Sequence, residues 1–108
     1  MKTDDSNAEL FNCIDAGLKV FGDSVPQVVY WRLEQTSHLR KEEIPKKLEE
    51  FVSGLRSMFG AGLPSISRSI VRELRNRIGV SDLDEADLSA ALVRARSELQ
   101  RSNGLVVK

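Results

Sequence analysis

The sequence is short of the residues that most often build chemical sites. It holds one cysteine, Cys13, and one histidine, His38. A disulfide within the chain is excluded, and a zinc site of cysteine and histidine needs more ligands than these two. Glu34 lies four residues before His38, as in a proton-transfer pair, but no third member is identifiable, and an exposed loop histidine is the simpler interpretation. We predict a non-enzymatic protein of the reducing cytoplasm, with no catalytic residue, cofactor or metal.

Neither sign of charge is in excess, and no apolar run is long. The 16 basic and 16 acidic residues divide as 7 and 10 over residues 1–50, and as 9 and 6 over residues 51–108. The halves therefore carry −3 and +3, an asymmetry that suits contacts between halves or subunits and is too small to indicate nucleic acid. Asp4, Asp5 and Glu9 precede the first apolar cluster, and no apolar stretch could span a bilayer. We expect neither a signal peptide nor a membrane partner.

What is present is the composition of one folded domain. Hydrophobic residues make up 41% and charged residues 30% of the 108 residues, a balance unlike that of disordered chains. A chain of this length can bury one core without disulfides or metals. We predict a single domain over residues 1–108, with its core between about residues 8 and 102.

Apolar side chains recur at spacings of three and four residues in five stretches of the sequence. This period is typical of amphipathic helices and predicts one inner face for each. The five predicted faces are Leu10, Phe11, Ile14, Leu18 and Phe21; Val25, Val28, Val29, Leu33 and Thr36; Ile44, Leu48, Phe51, Val52, Leu55, Met58 and Phe59; Leu63, Ile66, Ile70, Val71, Leu74 and Ile78; and Leu88, Leu92, Ala95 and Leu99.

Glycines and prolines mark the predicted helix ends. Gly22 and Gly79 follow the first and fourth stretches, at positions where a left-handed backbone costs glycine little. Pro26 and Pro45 fall where the second and third helices are expected to begin, because the first N–H groups of a helix need no intrahelical partner. Gly54 interrupts the third stretch and indicates a close approach of two helices.

The last stretch carries its own start and stop signals. Ser81 and Asp84 resemble a capping box, with aspartate in place of glutamate. Asn103 and Gly104 predict that the helix ends at about Ser102. The sequence therefore predicts an all-α fold, a single compact bundle of four to five helices joined by short turns.

The stretch FGAGLPS, residues 59–65, permits two interpretations. Glycines and serines before a helix can bind phosphate, because free N–H groups and the helix dipole favour anions there. Neither the P-loop nor the dinucleotide pattern matches, since no lysine follows and no strand precedes. A turn between two helices explains Gly60, Gly62 and Pro64 without a ligand, and we prefer it.

Two surfaces are candidates for binding another macromolecule. Between residues 56 and 77 there are five arginines and one acid, and Arg68, Arg72 and Arg75 recur on one side of the fourth helix. They suit either contact with phosphates or an ordinary solvated face. Tyr30 and Trp31 are either boundary aromatics of a small core or anchors of an interface, where both residue types are enriched.

The run from Leu33 to Val80 resembles the core of an archaeal family of output domains of the Nitrososphaera type, the fifth kind in that series. The elements of the resemblance are a Leu-Glu pair before a His link, KEEIP, LEEF, FGAG and a helix ending in Ile-Gly, and it extends over about residues 11–80. It implies an effector module in archaeal signalling or regulation and carries no catalytic or ligand-binding residue with it.

The sequence therefore favours a helical interaction module that binds a protein partner or itself, as a homodimer or other homo-oligomer. Its candidate surface holds Tyr30, Trp31, Arg68, Arg72 and Arg75. The alternative is a nucleic-acid-binding regulator that uses the basic side of the fourth helix.

Overall fold

The computed structural model describes residues 5–80 and 82–107, with side chains over 6–80 and 82–101. Five α-helices and two short 3-10 helices, at Lys41–Lys46 and Gly60–Gly62, make up most of these residues, and none of them lies in a β-strand. The predicted all-α bundle is confirmed. The α-helices are α1 (Asp5–Lys19), α2 (Val25–Ser37), α3 (Leu48–Phe59), α4 (Leu63–Ile78) and α5 (Leu88–Val107).

The core forms where α1 packs along α4 and α5, while α2 and α3 pack beside each other. Gly54 of α3 is buried against Leu33 of α2, where an added Cβ would overlap the leucine side chain. The close approach predicted at Gly54 is therefore confirmed. The largest fully buried side chains include Leu10, Ile14, Leu18, Leu33, Phe51, Leu55, Ile70, Leu74 and Leu92.

The buried face of α2 differs from the predicted one. Pro26, Val29, Tyr30 and Leu33 are buried, whereas Val28 is 58% exposed and Thr36 is also exposed. The two faces share Val29 and Leu33, but the helix is rotated so that Tyr30 faces the core instead of Val28. This rotation places a large aromatic ring inside and leaves a valine outside.

The end of α1 corrects a second prediction. We expected Phe21 on the inner face of this helix, but the helix ends at Lys19 and Phe21 is 45% exposed. The N–H of Phe21 donates to the Leu18 carbonyl at 3.1 Å, and Gly22 then adopts φ = 142°. The chain therefore turns before Phe21 can reach the core.

The start of the third helix was also predicted wrongly. Pro45 is buried inside the 3-10 helix Lys41–Lys46, and α3 begins only at Leu48. The Arg40 N–H donates to the Glu43 carboxylate at 3.0 Å, and this hydrogen bond lowers the pKa of Glu43. Lys47 then has φ = −130° and ψ = 59°, a non-helical conformation that separates the 3-10 helix from α3.

The last helix starts later and ends later than predicted. Asp87 caps it, since its carboxylate accepts the Ala90 N–H at 3.1 Å and its carbonyl accepts the Ala91 N–H. The proposed capping serine, Ser81, lies outside the described residues. The helix continues through Asn103 and Gly104 to Val107, which a single glycine permits at a cost of about 1 kcal/mol.

Candidate interaction surface

Exposed large apolar side chains are concentrated in one short segment of the chain. Within the described part, four of the five lie between residues 20 and 31, in the turn before α2 and on α2 itself. Isolated exposed apolar residues are ordinary, but a concentration of them marks a contact site. We call these four residues the Trp31 surface: Val20, Phe21, Val28 and Trp31.

Trp31 and Tyr30 are neighbours in sequence but occupy opposite environments. Successive residues of an α-helix point about 100° apart, so the two side chains cannot share a face. Trp31, the chain's one tryptophan, is 60% exposed. It therefore stays in the candidate surface.

Tyr30 does not belong to the candidate surface, and its assignment to the interaction surface is corrected. Its side chain is 9% exposed, and its hydroxyl donates to Asp15 Oδ1 at 2.8 Å. The ring lies 5.2 Å from that of Phe11, centroid to centroid, within the usual range for aromatic pairs. Burial, followed by the hydrogen bond to Asp15, raises the pKa of Tyr30 above its ordinary value. Tyr30 fastens α2 to α1.

An apolar groove adjoins Val28 at the junction of α2 and the last turn of α3. Its volume is about 330 Å³. Trp31 follows Val28 on α2 by about one helical turn, but it is not among the residues that line the groove. We call this the α2/α3 groove; it is lined by Ser24, Val25, Val28, Val29, Arg32, Met58 and Phe59.

The outer side of α2 carries little charge. Arg32 and Glu34 are the charged residues of the helix, and Arg32 makes no ion pair with any other residue that the structure describes. The cores of protein interfaces are likewise poor in charged residues and enriched in tryptophan, methionine and arginine. The composition of this side therefore resembles an interface more than a solvated helix face.

The arginines of α4 are held by the loop that follows the helix. Arg75 Nη1 lies 3.1 Å from Glu85 Oε2, and its Nη2 donates to the Leu83 carbonyl at 2.9 Å. Arg68 Nε lies 3.6 Å from Glu85 Oε1, and the Ser67 hydroxyl donates to the Glu85 carbonyl. Two of the three candidate arginines therefore clamp this loop onto α4.

Arg72 has a different environment. It is exposed between Arg68 and Arg75 on α4, and it makes no ion pair with any residue in the described part of the chain. Arg77, from the wider basic set, pairs with Glu73 at 3.3 Å. The positive charge of this side is thus partly neutralised by acids of the same half of the chain.

The stretch FGAGLPS has the geometry of a turn between helices. Gly60 ends α3 with φ = 51°, in the positive range that favours glycine, and a 3-10 turn leads to Gly62. Pro64 lies in the first turn of α4, as predicted. The conformation of these residues is explained without a bound anion.

His38 and Cys13 occupy separate and unrelated positions. His38 ends α2 with φ = 54°; its backbone N–H bonds the Glu34 carbonyl, and its side chain is exposed. Cys13 is fully buried in α1, as expected of a small apolar filler, and burial raises the pKa of its thiol to about 11. Over residues 5–80 and 82–107, no three histidine, cysteine or acidic side chains are grouped as a metal site.

None of the helices in the described ranges is long and apolar enough to cross a membrane. Comparison with protein-family models, curated proteins and solved structures finds no match to this chain. The resemblance to archaeal output domains therefore stays a prediction.

Proposed function

We propose that the chain is a helical interaction module that self-associates through the Trp31 surface. The observation that carries this proposal is the concentration of four exposed apolar side chains between residues 20 and 31, one of which, Val28, lines an apolar groove. A second copy is a suitable partner because formal net charge is zero, so two copies have no net charge to repel each other.

A regulatory role is part of the proposal and rests on the family resemblance. An effector module without a catalytic centre needs a specific surface for its partner. The exposed tryptophan and the α2/α3 groove would supply that surface.

Light scattering over a concentration series tests self-association. We expect a mass rising from 12.1 kDa towards twice that value. Val28→Ala should raise the dissociation constant about tenfold or more, because each copy loses roughly two buried methyl groups. Val93→Ala is the matched control, since Val93 is an exposed valine of α5, away from the Trp31 surface in sequence, and its loss should leave the constant unchanged. A monomer at every concentration would refute the proposal.

The alternative is a nucleic-acid-binding regulator that uses Arg68, Arg72 and Arg75 of α4. The free guanidinium of Arg72, placed between the other two, favours this function. The pairing of Arg68 and Arg75 with Glu85 weighs against it, because a phosphate would have to displace a carboxylate already in place. Self-association through the Trp31 surface is therefore the better supported proposal.

A further inference from the structure

We propose that a polar pocket between α2 and α3 binds a phosphate group, free or carried by a small molecule. The pocket has a volume of about 240 Å³. We call it the hydroxyl pocket; it is lined by Arg32, Thr36 and Ser37 of α2 and by Ser53, Gly54, Ser57 and Met58 of α3. This inference goes beyond self-association and does not depend on it.

The crossing of α2 and α3 at Gly54 brings the hydroxyl groups of two helices together. Gly54 has no side chain and is buried against Leu33, so the helices approach closely at this point. Thr36 and Ser37 follow Leu33 by about one turn of α2, and Ser57 follows Gly54 by about one turn of α3. These short side chains leave the pocket open, and they are exposed, so a ligand can reach them from solvent.

Arg32 supplies the positive charge of the hydroxyl pocket. It is the one charged residue among those that line the pocket, and it makes no ion pair with any residue that the structure describes. A guanidinium presents five N–H donors in a fixed fork that matches phosphate oxygens. An anion that enters has no lining carboxylate to displace, in contrast to α4, where Glu85 already pairs with Arg68 and Arg75.

Ser53 and Ser57 offer hydroxyl donors from the opposite wall of the pocket. Neither hydroxyl forms a hydrogen bond with a residue in the described part of the chain, whereas the Thr36 hydroxyl already donates to the Arg32 carbonyl at 2.8 Å. Donors on two walls favour a tetrahedral phosphate, whose several acceptor oxygens point in different directions, over a planar carboxylate. The guanidinium and the two serines are therefore the expected ligands of the phosphate.

Two acids next to the hydroxyl pocket define which end the phosphate occupies. Glu49 and Glu50 line the adjoining depression, which shares Ser53 with the pocket. Their negative charges repel an anion at that end, so the phosphate lies towards Arg32 and Ser57. The volume of the pocket is below the roughly 300–1,000 Å³ of sites for drug-sized ligands, so any organic group attached to the phosphate is small.

Titration with inorganic phosphate tests the proposal, followed by amide chemical shifts at one low protein concentration and constant ionic strength. We expect saturable changes at Arg32, Ser53 and Ser57. Methyl phosphate is the second arm: tighter binding of methyl phosphate assigns the site to phosphate monoesters, and tighter binding of inorganic phosphate assigns it to the free ion. Acetate should bind more weakly than both. The absence of saturable changes with either phosphate would overturn the proposal, and so would equal binding of acetate.

Arg32→Gln distinguishes a specific site from a general attraction of anions. It should weaken phosphate binding about tenfold or more, because it removes hydrogen bonds between charged groups. Arg56→Gln is the matched control, since Arg56 is an exposed arginine of α3 outside the pocket, and its loss should change the affinity by less than about twofold. Equal losses in the two variants would overturn the proposal. Light scattering without phosphate measures self-association separately, so either proposal can fail while the other stands.

Discussion

The Ser69 hydroxyl of α4 donates a hydrogen bond of 2.7 Å to the Gly17 carbonyl of α1, at a buried crossing of the two helices. Gly17 lies in the last turn of α1, where helix carbonyls lack the usual partner four residues on. Ser69 supplies a donor to the Gly17 carbonyl. Because Gly17 has no side chain, Ile70, which follows Ser69 on α4, can approach the backbone of α1 at Gly17. The pair fixes the spacing of α1 and α4, the two helices with the most extensive contact with each other.

Gly17→Ala is predicted to destabilise the protein strongly. The new Cβ would lie 2.7 Å from Ile70 Cα, a backbone atom, so the helices must separate and the Ser69 hydrogen bond must lengthen. Overpacking of this kind costs about 1–3 kcal/mol of unfolding free energy. Denaturant unfolding followed by circular dichroism measures the change.

Gly62→Ala is the matched control for that substitution. Its Cβ would find its nearest neighbour at 3.9 Å, and its φ of −82° is open to any residue. The unfolding free energy should change little or rise by up to about 1 kcal/mol. Equal losses in the two variants would contradict the close α1–α4 contact.

Ionisation of the Cys13 thiol is predicted to lower the free energy of unfolding at alkaline pH. Burial, followed by the charge of Glu9, raises the pKa of its thiol from 9.0 to about 11. Between these values the unfolded chain releases the proton and the folded chain keeps it, so stability is complete below about pH 9 and is lost as pH rises towards 11. The expected slope is about 1.4 kcal/mol per pH unit.

Cys13→Ala isolates this contribution in urea unfolding from pH 8 to 11. The variant should be less stable at pH 8 because it leaves a cavity, but its stability should fall less steeply above pH 9. The raised pKa of Tyr30 remains in both proteins and cancels in the comparison. Parallel curves would show that the thiol titrates alike in the folded and unfolded chains.

Glu85→Gln tests the alternative function at the basic side of α4. If this side binds nucleic acid, removing the carboxylate frees Arg68 and Arg75 and should strengthen binding to random duplex DNA at low salt. The affinity should then fall steeply as salt rises. Glu98→Gln, which removes an acid paired with Arg94 on α5, is the control. We expect no binding by wild type or either variant at low salt, and that result removes the nucleic-acid hypothesis.

The sequence predicted the helices well because their apolar residues repeat with the helical period and their ends carry glycine or proline. Val28 and Tyr30 show where apolar periodicity fails to predict the buried face of a helix. In a segment as apolar as VVYW, two faces have similar periodicity, and the choice depends on Asp15 of another helix. Pro45 is equally ambiguous, since it fits the first turn of an α-helix as well as a 3-10 helix.

The candidate site was partly predictable from the sequence. Trp31 could be placed off the main apolar face of α2 by spacing alone, and the exposed position agrees. Met58 and Phe59 could not be assigned to a groove, because they fit the inner face of α3 and only the packing of α2 beside them shapes the cavity. The pairing of Glu85 with two arginines likewise depends on how the loop folds back onto α4.

Amide chemical shifts recorded as a function of protein concentration test the central claim most directly, because they show which residues meet when two copies associate. We predict that the concentration-dependent changes cluster over residues 20–32 and at Met58 and Phe59. Changes centred on Arg68, Arg72 and Arg75, or spectra that do not change with concentration, would contradict self-association through the Trp31 surface.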